Sequence, residues 1–494
     1  MKLTDRILAS GATLNDLIHI VITGDTSQNP AGSSYKIPMS AYAPLFGGSG
    51  SGDTYWTSGS TWNGANYPIK AINDTIIDAT GDYAVAHGMA TVASGMASHA
   101  EGGYTSADYD STVAGGWGSH AEGLTTKAYG QASHSEGIQT IASGDYGSHA
   151  EGLTTKAYGQ ASHSEGQYTT ASGNSSHAEG GYTSAMSDYS HSEGGYSTAG
   201  GLVSHAEGYL TTATGNFSHA EGYYTKAFGD GSHAEGQNTN AIGGASHAEG
   251  NLTTASGNYS HAEGRQTESS GIGSHAEGHL SLSSGLYSHA EGDSTLSAGD
   301  ESHAEGAGSI ASGLTSHAEG WFSIASGDYS HSEGSGTTAS GIASHTEGNQ
   351  TTALGEGSHA EGQNTNAIGG ASHAEGAQTV ASGAYSHAEG VNSFATGDTS
   401  HAEGFETTAS GDYSHTEGRL TTAEGVASHA EGRETLASGQ ESHAEGRRTI
   451  SSGLRRHAEG DTTTALGVQS HSEGYSSTAG DISHAEGYQT KALG

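Results

Sequence analysis

The sequence predicts an all-β protein: a thin, flat parallel β-solenoid built from coils of 14 residues. The phrase Ser-His-Ala-Glu-Gly or a near variant occurs 28 times, and its histidines recur at steps of 14 residues without exception from His149 to His471. Glycine supplies 81 of the 494 residues and apolar residues only 32%. This composition provides too few large side chains for several thick globular cores, so a repeat architecture is favoured.

Each coil consists of two halves of seven residues. The second half carries a phrase such as Thr-Thr-Ala-Ser-Gly at residues 253–257, and both halves usually have Ala third and Gly fifth. Glycine and β-branched threonine disfavour a helix, so each half predicts a strand of about five residues followed by a two-residue turn. Because side chains alternate along a strand, we expect the first, third and fifth residues to fill the interior.

The outward positions differ between the two halves. In the Thr-x-Ala-x-Gly half they vary, for example Asn240 with Ile242 and Thr422 with Glu424, whereas in the other half they are His and Glu in all 28 copies. An interior of Ser, Thr, Ala and Gly buries little apolar area, so a lone chain is expected to be marginally stable. We therefore place the uniform His/Glu face at an interface between subunits.

The repeat resembles the head repeats of trimeric autotransporter adhesins of the YadA type, in which a phrase similar to Ser-Val-Ala-Ile-Gly recurs every 14 residues. Residues 84–88 read Ala-Val-Ala-His-Gly one period before the first Ser-His-Ala-Glu-Gly, and Val113 follows His99 by one period. The resemblance covers roughly residues 83–494. It implies a left-handed parallel β-roll in a homotrimer, with the second and fourth residues of this strand directed at the threefold axis.

The His/Glu ladder is the candidate functional site, and three interpretations remain open. The carboxylates and imidazoles of three chains pair along the axis, or they bind divalent metal, or they form a solvated surface. Pairing predicts that acid loosens the trimer as glutamate is protonated. A lattice of identical pairs is unlike a metal site, so we expect no metal. The predicted axis residues are His99, Glu101, His120, Glu122, His163, Glu165, His261, Glu263, His345, Glu347, His457 and Glu459.

The same regularity argues against an enzyme. The sequence has no cysteine nucleophile, no His-Glu-x-x-His helix and no P-loop phrase, and an active site needs one asymmetric pocket. We therefore predict no catalytic residues and no cofactor. Lys+Arg number 15 against 54 Asp+Glu, giving a net charge of −39 that opposes binding to nucleic acid. No apolar stretch reaches the ~20 residues of a membrane helix, so we expect no membrane insertion.

The chain is predicted to have three parts. Residues 1–46 form a small attachment or cap domain, 47–82 a Gly/Ser linker with an aromatic connector, and 83–494 the β-roll shaft. Residues 23–36 resemble the N-terminal segments of phage tail and fibre proteins. This predicts attachment to a particle through the apolar residues Ile20, Val21, Ile22 and Ile37; the alternative is a folding nucleus or trimer cap.

These observations predict a structural trimeric fibre of a virion, a phage tail fibre or related appendage. It is fixed to the particle by its N-terminus and reaches toward a receptor or glycan on the host surface. One alternative is a bacterial surface adhesin of the trimeric autotransporter type, located at the cell surface. Another is an ice- or crystal-binding solenoid, suggested by the threonines at positions 211, 225, 239, 253 and 267.

Arg456 and the C-terminal end of the repeat depart from the regular pattern. Arg456 stands where other coils have Ser before the histidine, and since a large cation is awkward inside a narrow roll, we expect this position to lie at a corner. The repeat runs to Gly494 without a terminal domain. We expect a C-terminal tip or chaperone domain to cover the open strand edge.

Overall fold

The computed structural model describes residues 56–58, 69–71, 77–102 and 111–494. The chain divides into two compact units, residues 1–57 with 71–73 and residues 58–70 with 74–494. The predicted attachment residues Ile20, Val21, Ile22 and Ile37 lie outside the described residues, as does most of the predicted connector.

The described residues form strands and turns, with no helix among them. From His120 onward a long strand of five residues, which begins at the repeat histidine, alternates with a short strand of two residues. This series runs from His120–Leu124 and Lys127–Ala128 to His484–Tyr488 and Lys491–Ala492. The strands before it are Trp56–Ser58, Ile69–Ala71, Ile77–Ala79, Val85–His87, Thr91–Ala93, His99–Gly102 and Thr112–Ala114.

Each strand pairs in parallel with the equivalent strand one coil away. His247 lies opposite His261 and Glu249 opposite Glu263, so the register equals the sequence repeat. Long strands build one sheet, and short strands build a second. Strand pairing already includes Ile69, opposite Val85. The predicted parallel β-solenoid of 14-residue coils is therefore confirmed. Across the described part of the chain, we find no helix of the length and apolar character needed to span a membrane.

The interior contains only small side chains in nearly every coil. The third-position alanines of both halves are fully buried, and the largest fully buried side chains are threonines. The first-position serines are also buried, and the Ser260 hydroxyl donates a hydrogen bond to the carbonyl of Gly257 at 2.7 Å. The predicted inward set is thus confirmed. Serine hydroxyls such as that of Ser260 bond to the carbonyl of the adjacent turn, whereas many threonine hydroxyls of the second half, such as that of Thr253, are buried without a hydrogen-bond partner among the described residues.

The second half of the coil differs from its prediction. Only two of its residues lie in the short strand, such as Thr254–Ala255, rather than about five. The chain turns immediately afterwards, because the amide of Ser260 donates back to the carbonyl of Gly257 at 3.3 Å and closes a tight turn. The short strand therefore supplies a narrow face, whereas the long strand supplies a flat and wider one.

Glycine at the fifth position is required by the spacing between coils. A Cβ atom on Gly250, whose φ is +111°, would lie 2.0 Å from the carbonyl oxygen of Gly264 in the next coil. A Cβ atom on Gly257 would lie 1.9 Å from the corresponding oxygen of Gly271. Real Cβ atoms do not approach a backbone oxygen so closely, so any larger residue forces the coils apart.

The seventh residue of each half adopts the left-handed conformation and is rarely glycine. Leu252 and Tyr259, which end the two halves of one coil, both have φ of +59°. This conformation is uncommon for large side chains, and it persists where the surrounding structure imposes it. Here the stacked coils impose it, since each turn must fit the turns on either side.

Irregular steps between histidines are absorbed in turns, as predicted. The 15-residue step from His134 to His149 places its additional residue in the turn that ends at Gly147, and the two imidazoles still stack at 4.8 Å and 2°. The 13-residue step from His471 to His484 tilts the imidazoles by 31°. The 21-residue step from His99 to His120 includes 103–110, which lie outside the described residues. Val113 was expected at the histidine position one period after His99, but it lies in the short-strand sheet opposite Val92 and Lys127, so that expectation is wrong.

Arg456 occupies the interior, so the expectation of a corner is wrong. Its side chain is only 6% exposed, and it donates a hydrogen bond to the carbonyl of Ala465 at 3.1 Å. The guanidinium fits because it extends into the space beside Gly453, where no side chain competes. Burial lowers the pKa of Arg456 from its ordinary value.

Candidate interaction surface

The second and fourth residues of the long strands form two straight columns on the outer face of their sheet. Because the register equals the repeat, each imidazole lies against the imidazole of the next coil. His289 and His303 stack with ring centroids 4.8 Å apart and planes 1° apart, and the column runs from His99 to His484. All twelve predicted axis residues lie in these columns: His99, Glu101, His120, Glu122, His163, Glu165, His261, Glu263, His345, Glu347, His457 and Glu459.

Imidazole and carboxylate of one coil are close but not hydrogen-bonded in most coils. The Nε2–Oε2 distance is 3.8 Å between His163 and Glu165 and 3.9 Å between His261 and Glu263. Both Nε2 atoms are buried without a hydrogen-bond partner among the described residues. About a third of the imidazole surface remains exposed. Pairing within one chain is therefore incomplete, and the predicted pairing between chains stays a prediction.

The electrostatics of the column favour neutral imidazoles. Burial, with a smaller contribution from the neighbouring imidazoles of His261 and His289, lowers the pKa of His275 to about 4, and the nearby glutamates oppose this shift only in part. The same causes lower the pKa of His261 and His289 themselves. Protonating one imidazole is unfavourable because its charge would lie 4.6–4.7 Å from the next ring. At neutral pH the imidazoles of His261, His275 and His289 are thus uncharged aromatic rings.

The ladder also offers ligand atoms of the kind that hold divalent metals. In sets such as His275, Glu277 and His289, two imidazole nitrogens and one carboxylate oxygen lie within 4.8 Å of one another. Imidazole and carboxylate suit several divalent ions. The same set recurs along the column, so the geometry singles out no coil as a dedicated centre. The expectation that no metal is bound stays a prediction.

The threonine column of the second half lies inside the solenoid. Thr211, Thr225, Thr239 and Thr253 are fully buried, and Thr267 is 1% exposed. A buried hydroxyl cannot contact an ice or crystal surface. The observation that supported an ice- or crystal-binding solenoid is therefore explained by packing, and this alternative loses its basis.

A group of exposed tyrosines was not singled out as a surface by the sequence analysis. Tyr168, Tyr182 and Tyr196 end the first halves of three successive coils and stack at 4.8 and 4.7 Å. Tyr209 and Tyr223 precede the seventh position in the next two coils. The 14-residue spacing of the first three tyrosines was the signal that could have found them. We call Tyr168, Tyr182, Tyr196, Tyr209, Tyr223 and Tyr224 the tyrosine strip.

Comparison with known proteins gives one match. The family model described as "YadA head domain repeat (2 copies)" matches residues 290–316, 304–330, 332–358, 360–386 and 458–479. No curated protein matches the chain. The matched segments lie within the solenoid, and their 14-residue coils are consistent with a β-roll of this type. The resemblance is therefore confirmed: these segments match YadA head repeats and lie on a parallel β-solenoid.

Proposed function

We propose that the chain is the shaft of a homotrimeric fibre whose chains meet along the His/Glu face. One observation carries the proposal: the imidazole column is unbroken along the flat face of the long-strand sheet, while the outward residues of the short strands vary. A column with the same side chains in every coil can make the same contacts in every coil with an identical column of another chain. Adhesins whose heads are built from similar repeats supply the precedent for three such chains around one axis.

The energetics of one coil support association. Its interior buries methyl groups and hydroxyls rather than large apolar side chains, so burial within one chain offsets little of the ordering entropy. Packing three stacks of neutral imidazoles together adds buried aromatic area, and it brings carboxylates of neighbouring chains to the partnerless Nε2 atoms. Association thus supplies the buried area and the hydrogen-bond partners that a single chain lacks.

Sedimentation equilibrium of the full chain tests the proposal. We expect a mass three times the 49.6 kDa of one chain. Replacing Glu249, Glu263 and Glu277 by Gln removes three successive carboxylates from the ladder, and we expect the concentration of half-dissociation to rise roughly tenfold or more.

The control variant replaces the exposed residues Glu268, Glu356 and Glu424 by Gln, which changes the net charge equally but leaves the ladder intact. We expect this variant to assemble like the unmodified chain. A monomeric unmodified chain, or equal dissociation of both variants, would contradict a trimer built on the His/Glu face.

The location of the fibre has two candidates. A virion appendage is supported by the resemblance of residues 23–36 to phage tail and fibre segments, which lie outside the described residues. A bacterial surface adhesin is supported by the match to YadA head repeats. Immunogold labelling of purified virions and of intact cells with an antibody to the shaft distinguishes them, since gold on virions alone supports the appendage and gold on uninfected cells the adhesin.

A further inference from the structure

The tyrosine strip lies on the edge of the solenoid where the long strand ends. Its six side chains are 40–48% exposed. Tyr209 and Tyr223 are nearly parallel, at 11° and 5.6 Å, whereas Tyr196 is perpendicular to Tyr209 and Tyr224 to Tyr223. Rings in two perpendicular orientations present both flat faces and hydroxyl-bearing edges to solvent. Exposed aromatic surface of this extent marks an interaction site.

This edge carries no charge over ten successive coils. From Leu124 to Leu252, the sixth and seventh positions of the first half contain no Asp, Glu, Lys or Arg, and the first charge follows at Arg265. The chain as a whole has a net charge of −39. Amides extend the strip in the coils beyond it, and the Asn251 amide donates to the Gln237 side-chain oxygen at 3.0 Å. The sixth and seventh positions therefore combine aromatic rings, hydroxyls and amides without a charge of their own, and the nearest charges along the chain belong to the flanking strands, such as Glu221 and Lys226.

The strip is local, which argues against contact with another copy of the chain. An interface between identical solenoids would repeat in every coil, as the His/Glu ladder does. Further along the chain the equivalent positions hold Asp293, Ala307 and Arg419, and the aromatic residues among them, at Trp321, Phe405 and Tyr475, are separated from the strip by non-aromatic coils. The continuous run of tyrosines therefore covers about five coils.

We propose that the tyrosine strip binds a linear neutral polysaccharide, a deeper assignment that rests on the proposed surface-contacting role of the fibre. The C–H faces of a pyranose ring pack on flat aromatic rings, and its hydroxyl groups exchange hydrogen bonds with tyrosine hydroxyls and with side-chain amides. The absence of charge suits a ligand without carboxylate, sulfate or phosphate groups. The straight edge, with one pair of positions every coil, suits an extended chain rather than a compact ligand.

Affinity electrophoresis of the full chain in native gels tests the assignment. The probes are amylose and a soluble linear β-glucan as neutral polymers, with alginate and heparin as charged ones. We expect retardation by at least one neutral polymer and none by the charged polymers. Replacing Tyr182, Tyr196 and Tyr224 by Ser should weaken the retardation roughly tenfold or more, whereas replacing them by Phe should preserve most of it.

The matched control replaces Tyr259, Tyr287 and Tyr329 by Ser. These tyrosines are as exposed or more so and have the same left-handed backbone, but they lie on the opposite edge. We expect this variant to bind like the unmodified chain. Failure to bind either neutral polymer, equal binding of alginate or heparin, or equal loss in both Ser variants overturns the assignment.

Sedimentation of the same samples separates this inference from the proposed function. A monomeric chain that binds a neutral polymer contradicts the trimer and leaves the strip as a binding site. A trimer that dissociates when Tyr182, Tyr196 and Tyr224 become Ser identifies the strip as an interface between copies, and this outcome also overturns the assignment.

Discussion

Single glycines set the distance between coils. At the fifth position of each half the backbone of one coil contacts the backbone of the next so closely that no Cβ atom fits. The histidine and glutamate columns depend on this distance, since the rings stack at 4.8 Å only because the coils do. The fifth glycine is thus the residue that makes the outer columns continuous.

We predict that Gly250→Ala destabilises its own coil and the next. The new methyl group meets the Gly264 carbonyl, and the φ of +111° is unfavourable for alanine, so the local loss should be roughly 2 kcal/mol or more. Hydrogen exchange of the amides near residues 250 and 264 measures it. The control is Gly244→Ala, where the added Cβ meets only the Asn258 side chain at 3.5 Å and φ is not positive. Equal protection of the amides in both variants would show that the contact between the new methyl group and the Gly264 carbonyl does not destabilise the coil.

Turns that carry Asp or Asn after the glycine of the second half are tied to the neighbouring turn by that side chain. Asp398 Oδ1 accepts a hydrogen bond from the amide of Ala384 at 3.0 Å, and the amide of Asp398 donates to Asp412 Oδ1 at 3.0 Å. Asn258 makes the same bond with Gly244 at 2.9 Å. The bond satisfies a turn amide that would otherwise face solvent, which explains why Asp and Asn are frequent at this position.

We predict that Asp398→Ala loosens the turn of the preceding coil. Loss of the acceptor should speed hydrogen exchange at the Ala384 amide about threefold to tenfold. Asp398→Asn keeps an oxygen in place and should leave the rate near that of the unmodified chain. The same acceleration in both variants would mean that the charge, and not the hydrogen bond, holds the turn.

The strands could be predicted from sequence in one half of the coil better than in the other. Alternation placed Ala248 inside and His247 outside correctly, because small and large residues alternate strictly there. The short second strand was missed, because its turn begins directly after Ala255 and no proline marks it. The left-handed residues were missed as well, since Leu252 and Tyr259 are residues that sequence rules do not assign to that conformation.

The candidate site was predictable in position but not in bonding. A period of 14 residues places every histidine at one point of each coil, so the column from His99 to His484 follows directly. The sequence does not indicate that Nε2 of His261 stays 3.9 Å from its glutamate, because that distance depends on side-chain rotamers. Nor does it indicate that burial and the neighbouring imidazoles together lower the pKa of His261, His275 and His289 more than the glutamates raise it.

At the scale of the whole solenoid, the stacked imidazoles make stability depend on pH. The pKa values of His261 and His289 lie below the ordinary value of 6.5, and that of His275 is lowered to about 4. The unfolded chain therefore binds protons more readily than the folded chain as pH falls below 6.5. The stabilisation is complete above pH 6.5 and is lost as pH falls toward and through 4. The sequence analysis assigned acid sensitivity to glutamate, and the structure adds the imidazoles as a source.

We predict a progressive loss of urea resistance between pH 6.5 and pH 4. Circular dichroism of the full chain across this range measures the midpoint of unfolding. Replacing His261, His275 and His289 by Asn removes three groups with lowered pKa values and should make the midpoint less dependent on pH. A midpoint that is constant down to pH 4.5 in the unmodified chain would contradict the contribution of the imidazoles.

The turn that ends at Gly147 has one more consequence. Its additional residue leaves the rings of His134 and His149 stacked at 4.8 Å and 2°, and the far longer step between His99 and His120 leaves those rings at 4.8 Å and 3°. A longer turn between two strands thus leaves the stacking of the imidazole column unchanged. Foreign peptides grafted beside Tyr146 should be displayed at a fixed height along the shaft without altering its stacking.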